Sequence, residues 1–178
     1  MPRALVASGS DGTPHLYFCV DRPAGRAAPN DRFDVLLVQF LLRIATSGNI
    51  YWPSSASASA PAIVGATRVG MTRPADPLPP NLPAAPPGAE IVIDGYCGDQ
   101  TIRFIESFQQ EMVRRGERVN VDGQVKPWAG ATSYTLLLLN QALSRSSWGG
   151  PRKWVLFNSP GFPAELFPYF FSGLIPFP

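Results

Sequence analysis

The chain has 178 residues, 15 Lys and Arg against 13 Asp and Glu, one histidine and two cysteines. A net charge of +2 with no cluster of basic and aromatic residues excludes a nucleic-acid footprint, and His15, Cys19 and Cys97 supply neither a metal-ligand set nor a disulfide framework. Twenty prolines, about twice the ordinary share, mean that much of the backbone is irregular or extended.

From the N-terminus, the apolar patch before residue 8 is far shorter than a signal-peptide core, so a Sec signal is not expected. Residues 16–20, Leu-Tyr-Phe-Cys-Val, read as a strand bounded by Gly12-Thr13-Pro14 and Asp21-Arg22-Pro23. Residues 1–29 thus form an N-terminal strand or arm. A helix is expected from Arg32 to Ile44, capped by Asn30 or Asp31. It is apolar over most of its circumference, with a polar strip of Asp34, Gln39 and Arg43, which marks it as the central helix of the core.

Residues 45–89 read as an insertion, with a Ser/Ala tract at 54–60 and seven prolines between Thr72 and Gly88. It is either a linker or a docking segment for a neighbouring subunit. Ile91–Ile93, a short β-branched run, read as a strand entering an Asp94-Gly95 turn, with Gly98 following. Asp99 is placed as the N-cap of a second helix that carries Ile102, Ile105, Phe108 and Met112 and ends at Gly116. Asp122-Gly123 between β-branched residues predicts a hairpin over 119–125. A third helix begins near Thr132 or Ser133 and runs to Leu143. The tail, 148–178, is rich in aromatics and prolines. Pro163 and Pro168 break any long helix, and the irregular backbone disfavours membrane insertion. Its aromatics must be buried on the parent domain or, the preferred expectation, on another copy or a partner protein.

Asp94-Gly95-x-x-Gly98-x-x-Thr101-x-x-x-Ile105-x-x-Phe108-Gln109, followed by Val121-Asp122-Gly123-x-Val125 and a Thr-led Leu helix, resembles the peptidoglycan-binding-domain-like family. Asp34-Val35-x-x-Val38-Gln39-x-Leu41-Leu42 is similar to the family's first helix. The resemblance covers 30–44 and 90–143; the insertion and the tail depart from it. It implies a mainly α fold, a small three-helix bundle with short strands or hairpin turns, occupying 30–147. It also implies a non-catalytic module for cell-wall peptidoglycan in a phage or secretion-type bacterial assembly. The alternative is a structural adaptor subunit that uses the same fold for protein–protein contacts, with tail and insertion docked on neighbours.

Candidate ligand-binding residues are Tyr96, Asp99, Gln109, Trp128 and Tyr134, which would line one groove if the two Asp-Gly turns lie together. Asp94, Gly95, Gly98, Thr101, Asp122 and Gly123 are assigned to the turns that determine the fold. Asp94, Asp99, Glu106 and Asp122 are the carboxylates considered for catalysis, but no nucleophile, base and orienter accompany them, so no enzyme, cofactor or metal is expected. The expected location is outside the cytoplasm, reached as part of a larger assembly.

Overall fold

The computed structural model describes residues 1–8, 14–46, 90–127, 134–145 and 162–171. The protein is mainly α: four helices, with few and short strands, among the described residues. In chain order these are β1 (Arg3–Ser8), β2 (Pro14–Cys19), β3 (Ala24–Gly25), α1 (Arg32–Thr46), α2 (Asp99–Arg114), β4 (Gln124–Val125), α3 (Tyr134–Arg145) and α4 (Phe167–Phe171), the last led by a 3-10 turn at Ala164–Leu166. The expected insertion at 45–89 lies outside the described residues from 47 onward.

Helix α1 is the centre. Residues 34 to 42 and Ile44 are all buried, and the helix packs against both α2 and α3. Its start is decided by Asp31, whose carboxylate accepts the Phe33 N–H at 3.2 Å and whose carbonyl accepts the Val35 N–H at 2.9 Å. Asn30 is occupied elsewhere: its amide takes the N–H of Gly25 at 2.7 Å and donates to the Gly25 carbonyl at 3.1 Å. Asp34, inside the first turn, accepts the N–H groups of Asp21 and Arg22 at 2.9 and 3.0 Å. The segment leading into α1 is therefore folded back onto the helix that follows it.

Strands β1 and β2 pair antiparallel, from Arg3 opposite Cys19 to Ser8 opposite Pro14. The apolar patch at the N-terminus is thus a strand. Asn140 of α3 meets the backbone of β2. Its Oδ1 accepts the Phe18 N–H at 2.7 Å, and its Nδ2 donates to the Phe18 carbonyl at 2.9 Å and to the Leu136 carbonyl at 2.9 Å. A carboxamide has the donor and acceptor of a peptide group, so a buried Asn can stand in for a neighbouring strand.

Four expectations change. Ile91–Ile93 is not a strand; Ile91 is buried and the run is unpaired, held partly by the Gln100 amide, which accepts from the Val92 N–H at 3.4 Å and donates to the Glu90 carbonyl at 3.4 Å. Gly98, with an extended backbone, is the N-cap of α2, and Asp99 is the first helical residue, where its charge still complements the helix dipole. The helix ends as expected at Gly116, through bonds from the Gly116 N–H to Val113 and from the Glu117 N–H to Met112, each 2.9 Å. The 119–125 hairpin does not form. Its Asp-Gly turn is present, but β4 pairs antiparallel with β3, Ala24 opposite Val125 and Gly25 opposite Gln124.

The fourth change concerns the described part of the tail, 162–171, which packs on the chain's own core; the rest of the 148–178 tail, expected to contact another copy or a partner, lies outside the described residues. Phe162, Leu166 and Phe170 are buried. Phe170 meets Phe18 edge-on at 5.2 Å, Phe162 meets Phe40 at 5.0 Å, and Tyr169 lies 4.7 Å from Phe33. Pro168 sits in the first turn of α4, where a missing N–H is tolerated. Phe170→Ala is expected to lower the unfolding free energy by about 3 kcal/mol through the lost contacts and the cavity left behind. Urea unfolding of the full chain measures this; a change in molecular mass at unchanged stability would instead place Phe170 at a contact between chains.

Candidate functional site

Two buried glutamines organise the two Asp-Gly loops in the same way. In the first loop, Gln39 of α1 accepts the N–H groups of Asp94 and Gly95 through Oε1, at 3.1 and 2.9 Å. Its Nε2 faces Asp94 Oδ1 at 2.9 Å, the Tyr96 carbonyl at 3.1 Å and Thr101 Oγ1 at 3.0 Å. In the second, Gln109 of α2 accepts the Gly123 N–H at 2.9 Å. Its Nε2 faces Asp122 Oδ1 at 3.0 Å, the Gln124 carbonyl at 3.0 Å and Thr135 Oγ1 at 3.1 Å. Each Asp carboxylate also accepts the N–H two residues on, Tyr96 at 2.8 Å and Gln124 at 3.0 Å, closing an Asx turn.

The correspondence is residue by residue: Gln39 with Gln109, Asp94-Gly95 with Asp122-Gly123, Thr101 with Thr135. Both glycines have positive φ, 74° and 67°. A Cβ on Gly95 would meet Arg32 and Leu36, and one on Gly123 would meet Glu106. Leu36 and Glu106 each stand three residues before their glutamine, so the same helix position abuts the same glycine in both halves. Sequence reasoning singled out Gln109 and passed over Gln39 as a loop anchor, together with Thr135. The signal was present, but the glutamine and its loop are 55 residues apart in the first half and 13 in the second.

The expected ligand residues separate accordingly. Gln109 is fully buried and its amide is engaged by its own loop, so it has no free group for a ligand and belongs with the fold-determining residues. Tyr96 is 74% exposed and Asp99 is exposed at the start of α2. Trp128 and the side chain of Tyr134 lie outside the described residues; the backbone of Tyr134 opens α3. Of the five residues expected to line one groove, the described side chains left exposed are Tyr96 and Asp99.

A third cluster joins the N-terminal arm to the second loop. The Arg26 N–H donates to the Gly123 carbonyl at 2.9 Å, the Gln124 amide donates to the Arg26 carbonyl at 2.7 Å, and the Arg26 guanidinium pairs with the buried Glu106. Three of the four carboxylates considered for catalysis, Asp94, Glu106 and Asp122, are thus committed to loop bonds or an ion pair. Burial pushes the Cys97 thiol up, against a smaller opposing effect of the Gly25 backbone, which makes it a poorer nucleophile. Cys19 and Cys97 are both free thiols. Among the described residues no group of three or more His, Cys, Asp or Glu could hold a metal ion, and no helix is long and apolar enough to cross a membrane.

No family model matches the chain, and no curated protein or solved structure is significantly similar to it.

Replacing either glutamine by Leu keeps much of the volume but strips its loop of a donor and an acceptor. Gln39→Leu and Gln109→Leu are each expected to cost about 3 kcal/mol, because buried peptide groups and a Thr hydroxyl lose their partners. Denaturant unfolding of the two variants checks this, and a cost below 1 kcal/mol for both would mean that water replaces the amide.

The loops also set an acid limb. The Tyr96 N–H and the Gln39 amide hold the Asp94 carboxyl below the usual carboxylate range. At Asp122 burial pushes the carboxyl up, but Lys126, Gln109 and the Gln124 N–H outweigh it and the net shift is downward. A folded-state pKa below the unfolded value of about 4 stabilises the fold above that pH, and the contribution is lost as pH falls through the folded value. Asp34 acts in the opposite sense, since burial raises its carboxyl against the bonds from Asp21 and Arg22. The Asp94→Asn/Asp122→Asn double variant is expected to lose stability less steeply than the natural chain below about pH 4, as read by circular dichroism during acid titration.

Proposed function

We propose that this chain is a non-catalytic module that binds bacterial cell-wall peptidoglycan, built on a three-helix unit of the peptidoglycan-binding-domain-like type and delivered to the wall as part of a phage or secretion-type assembly. The observation that carries the reading is the repeated bracket of Gln, Asp-Gly and Thr. It gives a physical reason for the order of residues that resembles that family, and it lies in the same two blocks. Loops braced by buried amides are prepaid in conformational entropy, a property suited to recognition of an extended, repetitive ligand. The commitment of Asp94, Glu106 and Asp122 to structural bonds favours binding over hydrolysis.

The alternative is an adaptor that binds protein. It is favoured by the exposure of Val92, 54%, and Tyr96 on one loop. In that reading the contact surface is the 90–98 loop rather than Phe162, Leu166 and Phe170, which are already spent on the core. The purified full chain is expected to pellet with peptidoglycan sacculi, and to do so at both low and high salt because its net charge is small. A chain that stays in the supernatant at every salt concentration, and whose mass rises with concentration, supports the adaptor reading instead.

A further inference from the structure

The segment 162–171 sits on the rest of the chain as a peptide sits in a groove. Phe162, Leu166 and Phe170, four residues apart each time, are buried, while Ala164, Glu165 and Pro168 between them are exposed. Apolar residues at i, i+4 and i+8 are the anchors of a helix-in-groove contact. The receiving surface is made by β2 and α1. Phe18 meets Phe170 at 5.2 Å, Phe40 meets Phe162 at 5.0 Å, and Phe33 meets Tyr169 at 4.7 Å. At the rim, Glu165 pairs with Arg32 at 3.5 Å, both side chains being more than half exposed. Such a pair orients the segment and adds little to its hold.

The segment also carries its own organisation. The Leu166 N–H donates to the Pro163 carbonyl at 3.0 Å, and the Phe162 ring contacts those of Phe167 and Phe170 at 5.4 and 6.0 Å. A unit packed within itself can leave one groove and enter an identical one without being rebuilt. Its tether has the reach for this. Sixteen residues separate Arg145, the end of α3, from Phe162, and when extended they span up to about 55 Å. That carries the segment to the groove of an adjacent copy. Reciprocal exchange remakes every contact of the intramolecular form, because groove and segment are the same in both copies. The balance is then set by protein concentration against the local concentration that the tether imposes, roughly millimolar for a short linker.

We propose that the groove of Phe18, Phe33 and Phe40 is an interaction surface for a second copy of this chain, and that two copies join by exchanging their 162–171 segments. The dimer is two-fold. Each segment buries Phe162, Leu166 and Phe170 on β2 and α1 of the other copy, and the 90–98 loop takes no part. The inference is separate from the choice between wall and protein as ligand.

The test uses the full chain with one added cysteine per preparation, Arg32→Cys in one and Glu165→Cys in the other. Both positions are exposed, so the fold is retained, and neither preparation can join positions 32 and 165 within one chain. After the two are incubated together at about 1 mM, a short bis-maleimide is expected to join position 32 of one copy to position 165 of the other, as located by mass spectrometry of the digest. The yield is expected to fall at least about tenfold when the mixture is incubated at about 10 μM. Light scattering of the natural chain over the same range is expected to show the mass rising toward twice that of the monomer. No 32–165 link in variants that keep the circular dichroism of the natural chain overturns the proposal. A dimer by mass without that link also overturns it, because the copies then meet through another face. If either variant unfolds, Phe33→Cys and Tyr169→Cys, at half-buried positions facing each other, replace the pair and the same outcomes decide.

Discussion

A buried carboxamide, used twice, is the interaction on which the arrangement depends. Gln39 and Gln109 each connect three pieces of chain: the helix that bears the glutamine, the Asp-Gly loop that follows, and the Thr at the start of the next helix. Glutamine suits the task because it carries a donor and an acceptor on a side chain long enough to reach a loop from a helix. Glutamate would lose the donor and leucine both. Because the amides are buried, an unmet partner would be costly, which forces loop, helix and next helix into a single relative position.

Around these brackets the N-terminal arm and the described tail complete one core. The arm is secured by side chains of later elements, Asp34, Asn140 and Glu106, each satisfying groups that the arm cannot satisfy alone. Phe18 of the arm and Phe170 of the tail then meet edge-on over α1 and α3. In the described part of the tail, Phe162 and Phe170 are removed from water by the core of the same chain. Among the described residues Tyr96 is fixed in backbone and exposed in side chain. The other aromatic side chains whose burial is described are buried or half-buried, whereas Tyr96 is 74% exposed.

Much of the local structure was legible in the residues. The 3.6-residue periodicity placed α1, α2 and α3 to within a few positions, and the Asp-Gly turns and the Gly116 stop follow from turn chemistry acting over four or five residues. The site was legible in part. Asp94, Gly95, Asp122 and Gly123 were assigned to the loops that they occupy, Thr101 was grouped with them although it lies in the first turn of α2, and Gln109 was noticed, but as a ligand candidate as well as an anchor. Gln39 escaped because the long insertion separates it from the loop that it braces, so the repeat is visible in space and obscured along the chain.

What the sequence determined by itself are the features whose causes are local: the amphipathic helices, the φ-positive glycines, the Asx turns and the low charge. The tertiary structure alone decided which groups met. It paired β4 with β3 rather than with 119–121, because Gly25 and Arg26, held in place by Asn30 and Glu106, present backbone groups to Gln124 and Gly123. It turned Phe162 and Phe170 inward, because β2 and α1 leave Phe18 and Phe40 to be covered. It made Gln109 internal and Tyr96 external. A residue's propensity acts on its immediate neighbours, whereas a partner is chosen by what the rest of the fold has left unsatisfied, and that is known only once distant segments are in place.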